Sequence, residues 1–289
     1  MSISINNDME RRLGLWKVGF NEDGDMFCDQ RFGDWPVRMD AKPFDKPDFM
    51  LLSYGCKASV SSGEGEDKIT NECIRDWWRA AEPGEAWCCV DLGEVMDVNA
   101  VQINFADEGI DEDIPEDADR LVAHEIRYID LEERVTRWVL EGSADGENWI
   151  VIEDKSEAET NLCNDFIMLD EAAELRYLRL TVLEMPFDQP ATVCGIRVFG
   201  HGKGEAPAAA TGVRAEKKGD IDMLVSWDAD DAVGHNILWG YAPDKLYHSY
   251  MVLGRNEQNI GALMKGEPVF ARVDAFNENG ITEGTVFEV

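Results

Sequence analysis

The stretch "EGSADGENWIVIED", residues 141 to 154, carries the clearest fold signal in the chain. Asp145 and Gly146 lie in a turn between two alternating apolar runs, whose ends carry Trp138 and Trp149. An Asp-Gly pair readily adopts the positive φ angles that a tight hairpin turn requires. The stretch therefore predicts two antiparallel β-strands joined by a short turn.

Similar short runs rich in Val, Ile and aromatic residues flank this hairpin, and such composition is typical of strands. They are "CCVDLG", "AVQINFA", "HEIRYIDL", "TRWVLEGS", "WIVIED", "LRYLRLTV" and "GIRVFG". Their separations suit an antiparallel sandwich, and the region after residue 206 has the same character. No helix-period segment competes with them, apart from a short turn at "EAAEL". The predicted fold class is all-β.

Two composition breaks divide the chain. "GHGKGEAPAAATG", residues 200 to 212, is rich in Gly, Ala and Pro, as linkers are. "DAKPFDKPDF", residues 40 to 49, has two prolines that do not fit a central strand or a helix interior. We therefore predict a leader over residues 1–50, a middle module over 51–202 and a C-terminal domain over 203–289.

The leader has a hairpin signal of its own, because "LGLWKVGF" and "DMFCDQRFG" flank Asp23-Gly24. A segment this short cannot bury a core by itself. We therefore expect residues 10–50 to pack against the middle module through their large aromatic side chains. The candidates for this contact are Trp16, Phe20, Phe27, Phe32 and Trp35.

Charge excludes two classes of partner. The chain has 27 basic and 59 acidic residues, a formal net charge of −32. Polyphosphate backbones and anionic membrane surfaces would be repelled by this excess. No run approaches the roughly 20 apolar residues of a membrane helix. The sequence therefore predicts neither a nucleic acid nor a membrane as partner.

The N-terminus and the cysteines bear on localisation. "MSISINNDMERRLG" lacks the basic and apolar regions of a secretory signal. The seven cysteines are an odd number and form no CxxC pair of the kind that zinc sites use. This pattern predicts free thiols in a cytoplasmic protein; the alternative is a secreted protein, if the sequence is a fragment of a longer chain.

The middle module resembles a discoidin-like, or coagulation factor C-type, domain over residues 52 to 200. The motifs that carry the resemblance are "NECIRDWW", "AWCCVDLGEVMDVNAVQINF", "LEGSADGENWIVIED", "LRYLRLTV" and "GIRVFG", in the order of the family. The resemblance implies an eight-stranded jelly roll. In bacteria such domains commonly serve as carbohydrate-binding modules beside glycoside hydrolases.

The flanking regions resemble two other families. Residues 206 to 289 are similar to a fibronectin type III domain, with Trp227 at the core position of the second strand and Phe270 where tyrosine is frequent. The leader is similar to the last blade strands of a family 43 glycoside hydrolase, a five-bladed propeller. The catalytic carboxylates of that family lie in upstream blades, so none can be assigned to this chain.

Three tryptophans lie within "WWRAAEPGEAWCCVDLG", residues 77 to 93. The resemblance implies that Trp78 and Trp87 belong to the core. Adjacent residues of a strand face opposite sides, so Trp77 should face away from Trp78. The same alternation separates Cys88 from Cys89.

We predict a carbohydrate site at one end of the sandwich, formed by Trp77, Arg79, His124 and Arg127. An indole can stack on the apolar face of a sugar ring, and guanidinium groups can donate to its hydroxyls. The alternatives are that Trp77 packs against the leader hairpin and that His124 is an ordinary surface histidine. The acidic run at 107–119 is interpreted as a solvated loop.

The discoidin-like resemblance also implies a candidate structural Ca²⁺ site in the loop before Trp78. The matching positions are Asn71, Asp76 and Gly195. The late carboxylate of the family is absent, because Gly195 replaces it. Since Ca²⁺ prefers six to eight oxygen ligands, we expect weak metal dependence.

The predicted function is the non-catalytic part of a family 43-like protein, which binds a plant-type polysaccharide or oligosaccharide or braces a propeller. One alternative is a part of an active glycan-cleaving hydrolase whose catalytic propeller is supplied elsewhere. Another is a scaffold for protein–protein interaction. The sequence itself identifies no catalytic residues, because glycoside hydrolysis requires two carboxylates at a defined separation.

Overall fold

The computed structural model describes residues 2–3, 11–12, 15–106, 108, 120–122, 125–126 and 134–289. Their regular secondary structure consists of β-strands and two short 3₁₀ helices. The predicted all-β class is confirmed. Among these residues, no helix combines the length and the apolar character needed to cross a membrane.

Fourteen strands of very different lengths precede residue 202 in the described part of the chain. They are β1 (Ser2–Ile3), β2 (Arg11–Arg12), β3 (Lys17–Phe20), β4 (Met26–Asp29), β5 (Met50–Leu51), β6 (Lys57–Val60), β7 (Trp78–Pro83), β8 (Ala86–Phe105), β9 (Arg120–Val122), β10 (Glu125–Ile126), β11 (Arg137–Ser143), β12 (Trp149–Asp154), β13 (Asn164–Glu184) and β14 (Pro190–His201). The 3₁₀ helices are η1 (Glu66–Lys68) and η2 (Pro186–Asp188).

The remaining strands follow the predicted linker. They are β15 (Arg214–Lys217), β16 (Met223–Ser226), β17 (Gly234–Gly240), β18 (His248–Leu253), β19 (Glu257–Ile260), β20 (Phe270–Asn277), β21 (Gly280–Thr282) and β22 (Phe287–Glu288).

The chain divides into two compact units. The first unit comprises Met1–Tyr54, Met96–Asn99 and Val198–Val289, and the second comprises Gly55–Val95 and Ala100–Arg197. The leader therefore belongs to the same unit as the C-terminal domain.

In the second unit, the main sheet has the strand order β12-β11-β13-β8-β14. In addition, β6 pairs with β8, and β7 pairs with β14. β11 and β12 pair antiparallel, with Glu141 opposite Val151 and Ser143 opposite Trp149. Gly146 has a φ of 79° in the turn between them. The hairpin predicted from the Asp-Gly pair is therefore confirmed.

Burial alternates along the strands that carry the tryptophan-rich stretch. Trp78 is fully buried, as predicted. Trp87 is 36% exposed, so its assignment to the core was wrong. The reason is the phase of β8, in which Ala86 and Cys88 point inward and Trp87 points outward. The side-chain alternation therefore outweighs the size of the indole.

The two adjacent cysteines confirm this alternation. Cys88 is fully buried and Cys89 is half-buried. Burial raises the pKa of both thiols, that of Cys89 to about 11. The reactive form of cysteine is the thiolate, which a low pKa favours. A raised pKa therefore argues against reactivity at both residues. All seven cysteines are free thiols in the structure.

The C-terminal part of the first unit is a sandwich of two sheets. One has the order β15-β16-β19, and the other has the order β18-β17-β20-β21, with β22 also paired to β20. Both sheets contribute to one core around the buried Trp227, including Val225, Ile237 and Val273. The burial of Trp227 was predicted, whereas the fibronectin type III family stays a prediction.

The leader packs on this C-terminal sandwich. Phe27 stacks on Tyr247 with 4.6 Å between ring centroids, and the edge of Phe32 meets Phe276 at 5.4 Å. Trp35 contacts Phe276 and also Phe199 in β14, each at 5.9 Å. Of the expected contacts with the discoidin-like module, the one between Trp35 and Phe199 is present, whereas Phe27 and Phe32 contact the C-terminal sandwich instead. Both sandwiches offer apolar faces, and the sequence pattern does not indicate which face accepts the leader.

Buried polar groups fix the orientation of the leader. The carboxylate of Asp29 accepts hydrogen bonds from Nε and Nη2 of Arg31, at 2.9 and 3.1 Å, and from Oγ of Ser249 at 3.2 Å. Desolvation alone would raise the pKa of Asp29, but the hydrogen bonds and charge of Arg31 lower it below its usual value. The backbone N–H of Gln30 donates to the same Ser249 hydroxyl at 2.8 Å. Hydrogen bonds are directional, so these contacts fix the orientation of the leader on the C-terminal sandwich. Apolar contact alone would not fix it.

We expect Trp35→Ala to lower the free energy of unfolding of the full chain by about 3–5 kcal/mol, because it removes a large buried side chain. The matched control is Phe20→Ala in the same leader, which should cost about 1 kcal/mol or less because Phe20 is 70% exposed. Urea denaturation followed by circular dichroism measures both. Equal losses in the two variants would contradict the packing described above.

Candidate functional site

Two of the predicted site residues lie on either side of a buried tryptophan at the start of β7. Trp78 is buried, and its indole Nε1 donates to the carbonyl oxygen of Ser62 at 2.9 Å. Trp77 is half-buried and Arg79 is exposed. The alternation predicted for this stretch is confirmed, and it places Trp77 and Arg79 outside the core.

Both side chains meet one carboxylate. Nε1 of Trp77 donates to Oε2 of Glu108 at 2.6 Å, and Nε of Arg79 lies 3.4 Å from the same oxygen. The backbone N–H of Glu108 donates in turn to Oε1 of the buried Gln189 at 3.2 Å. The structure thus brings Trp77 and Arg79 together around an acceptor that sequence reasoning missed.

Glu108 belongs to the acidic run at 107–119, which the sequence analysis interpreted as a solvated loop. Glu108 is the one residue of that run that the structure describes. Its carboxylate is partly exposed and has two donor groups beside it. Nothing in the run distinguishes Glu108 from its acidic neighbours, because its partners lie far from it in the chain.

The segment before Gln189 holds a strained backbone. Phe187 and Asp188 have φ angles of 60° and 50°. Non-glycine residues seldom adopt positive φ, and such residues are often found at ligand-binding sites. The guanidinium of Arg134 lies 4.3 Å from the centre of the Phe187 ring, which holds the ring from one side. We define Trp77, Arg79, Glu108, Phe187 and Gln189 as the loop-end site.

His124 and Arg127, the other two predicted site residues, lie outside the described residues. Their position beside Trp77 and Arg79 stays a prediction. Phe187 and Gln189 are additional residues that the sequence analysis did not select, because neither belongs to a recognised motif.

The loop-end site can form several kinds of polar contact with a ligand. Glu108 offers carboxylate oxygens, Arg79 offers N–H groups beyond the one directed at Glu108, and Trp77 offers its ring. The hydrogen bond from Trp77 to Glu108 fixes the orientation of the indole. Such a combination of one flat apolar surface with fixed donors and acceptors suits a polar ring ligand.

The predicted calcium ligands do not fit a calcium ion. Asp76 has its Oδ1 in a hydrogen bond from the amide of Asn71 at 3.1 Å, and its Oδ2 lies 3.8 Å from Nζ of Lys68. The amide oxygen of Asn71 accepts from the backbone N–H of Cys73 at 2.8 Å. The oxygens that a cation would need therefore already face donors, one of them a positive charge.

The neighbouring carboxylate is also neutralised by the protein. Glu72 accepts hydrogen bonds from Nε of the buried Arg197 at 3.0 Å, and Nη2 of the same guanidinium lies 2.9 Å from its Oε2. Arg197 also donates from Nη1 to Gln102 at 2.9 Å. Within the described part of the chain, no three His, Cys, Asp or Glu side chains are grouped as a metal site requires. Lys68 and Arg197 thus place positive charge beside the carboxylates of Asp76 and Glu72.

Comparison with known proteins gives distant structural likenesses. No family model and no curated protein matches the chain. A solved structure of chitosan-binding module 1 from the chitosanase/glucanase of Paenibacillus sp. IK-5 matches with 19% identity and a TM-score of 0.38, over 52% of this chain and 99% of that one.

Two further likenesses are to proteins of Clostridium perfringens. CpGH89CBM32-4 in complex with glcNAc-alpha-1,4-galactose has 16% identity and a TM-score of 0.39, over 57% of this chain and 100% of its own. The family 32 carbohydrate-binding module of NanJ in complex with galactose has 13% identity and a TM-score of 0.38, over 52% and 98%. These likenesses are too distant to assign a ligand to this chain.

We expect a chelator to leave the melting temperature of the full chain unchanged, because the carboxylate of Asp76 already faces Nζ of Lys68 and the amide N–H of Asn71. A tightly held ion would instead add about 4 kcal/mol at a thousandfold excess over its Kd. Thermal unfolding with EDTA and with added Ca²⁺ measures this. A shift of many degrees between the two conditions would show that the loop does hold calcium.

Proposed function

We propose that the second unit is a non-catalytic module that binds a neutral oligosaccharide at the loop-end site. The observation that carries this proposal is the hydrogen bond from Trp77 to Glu108, 2.6 Å long, beside the guanidinium of Arg79. It combines a fixed aromatic surface with an acceptor and a donor for hydroxyl groups. Sugar rings present both an apolar face and hydroxyls, so they match this combination.

Charge favours a neutral glycan over an acidic one. The chain has a net charge of −32, and the site has a carboxylate of its own in Glu108. Uronic acids would be repelled by both, at long range and at contact. Fragments of plant-type arabinan, xylan or galactan are therefore the ligands to test first.

The site supports weak binding. Trp77 is only half-buried, and Arg79 and Glu108 are partly exposed, so a ligand would stay in contact with water on one side. Shallow sites of this kind give dissociation constants in the millimolar to high micromolar range, about −4 to −6 kcal/mol. Such a module would serve to hold a larger protein on its glycan.

The proposed role of the whole chain rests on the family resemblance of the leader. Its resemblance to the last strands of a family 43 propeller supports the proposal that this chain is the ancillary part of such a hydrolase. The fibronectin type III resemblance of residues 206 to 289 is consistent with that arrangement. In this proposal the glycan is cleaved by a propeller domain, and the residues described above contribute binding without turnover.

Calorimetric or NMR titration of the full chain with arabinan, xylan and galactan fragments tests the site. We expect Trp77→Ala to weaken binding about tenfold, because a stacking surface contributes on the order of 1 kcal/mol. Trp77→Phe should retain part of the affinity, since it keeps an aromatic face but loses the indole N–H.

The matched control is Trp87→Ala, which removes another partly exposed indole of the same unit. This variant should bind as the wild type does. Unchanged affinity in Trp77→Ala would place the site elsewhere, and loss of binding in Trp87→Ala alone would move it to the outward face of β8. If no glycan binds the wild-type chain, the module has a bracing role instead.

A further inference from the structure

The leader hairpin β3–β4 has an exposed apolar face. In its register Val18 pairs with Cys28 and Phe20 pairs with Met26, so these four side chains lie on one side. Val18 is 53% exposed, and Phe20 and Met26 are each 70% exposed. Trp16, two residues before Val18 and 41% exposed, continues this row. We call Trp16, Val18, Phe20, Met26 and Cys28 the hairpin face.

The opposite side of the hairpin accounts for its attachment to the first unit. Phe27 stacks on Tyr247, and Asp29 accepts a hydrogen bond from Ser249. These contacts attach the hairpin through the side opposite to Val18, Phe20 and Met26. The three side chains, each more than half exposed, are therefore available to a partner. A contiguous exposed apolar surface of this kind is typical of an interaction site.

The border of the hairpin face is acidic. Glu22, Asp23 and Asp25, at the turn that joins the two strands, are all exposed. Nζ of Lys245 lies 3.8 Å from Glu22 and 3.7 Å from Asp23, so one positive charge serves two carboxylates. The border keeps a net negative charge, in a chain whose total is −32. A partner that approaches this face is favoured if it carries positive charge.

Charge disfavours a second copy of this chain as the occupant. Two copies would bring two acidic borders together, which costs free energy at an interface. The exposed parts of the face amount to roughly several hundred Å². A standard protein–protein interface buries about 800 Å² on each partner, so a partner of this face either binds weakly or also covers residues beside it.

We propose that the hairpin face docks a protein partner whose surface has apolar side chains bordered by lysine or arginine. The apolar centre would cover Phe20 and Met26, and the basic border would pair with Glu22, Asp23 and Asp25. This proposal is independent of the glycan-binding proposal, because it concerns the first unit and the loop-end site belongs to the second.

A panel of three cyclic β-hairpin peptides tests the proposal on the full-length chain. All three share one face of valine and phenylalanine, and their remaining positions carry lysine, threonine or glutamate. Fluorescence anisotropy should give the affinity order lysine, threonine, glutamate, and high salt should reduce the difference between them. Equal affinity for the three peptides would overturn the basic character assigned to the partner.

Variants locate the binding. Phe20→Asp should weaken the lysine peptide on the order of tenfold, because it removes apolar contact area. The new negative charge would by itself favour that peptide, so a loss of affinity reports the apolar contact. Phe166→Asp, at a phenylalanine of the second unit that is 45% exposed, is the matched control and should bind as the wild type does. Unchanged unfolding midpoints show that both variants keep the fold.

Two outcomes would overturn the proposal. One is wild-type affinity in Phe20→Asp, which would place peptide binding away from the hairpin face. The other comes from sedimentation of the wild-type chain without peptide. A concentration-dependent dimer that disappears in Phe20→Asp would make a second copy the occupant of the face. A monomer across the concentration range supports a different protein as the partner.

Discussion

Side chains alternate between the two faces of each paired strand, and this alternation assigns the core and surface residues of both units. It buries Trp78 and leaves Trp77 and Arg79 on the other side of the same short segment. It also turns Cys88 inward and Trp87 outward along β8. In the leader, it separates Phe27, which attaches the hairpin, from the exposed side chains opposite. A one-residue change of register would move each of these side chains to the opposite face. The pairing of the strands therefore determines which side chains are buried and which are exposed.

Polar side chains convert this alternation into defined geometry. At the loop-end site, Glu108 receives the indole N–H of Trp77 and is itself tied through its backbone to Gln189. In the first unit, Asp29 and Ser249 hold the leader in one orientation. Apolar burial is non-directional and would by itself allow several arrangements. The hydrogen bonds select one arrangement among several that burial would allow.

In the described loop before Trp78, the carboxylates have protein partners instead of a fitting calcium site. Arg197 neutralises Glu72, and Lys68 faces Asp76. A positive side chain beside a carboxylate offsets its charge without dependence on an ion in solution, and here Lys68 of η1 and Arg197 of β14 lie beside Asp76 and Glu72. The loop before Trp77 is thus held by side chains of the protein itself. Both proposals rest on the strong negative charge of the chain, which would repel acidic glycans and acidic proteins at long range.

The all-β class and the hairpin around Asp145-Gly146 were predictable from the sequence because they depend on near neighbours. The burial of Trp78 and Trp227 was implied by the family resemblances, one of which also placed Trp87 in the core, where it is not. The contact of Glu108 with Trp77 across 31 residues of chain, and the packing of the leader on the C-terminal sandwich, depend on the tertiary fold. Turn chemistry and side-chain period are local properties, and they can be read over a few residues. The partner of a carboxylate or of an apolar face depends on how distant strands pair, and many acidic and apolar residues in this chain could have satisfied the same local pattern.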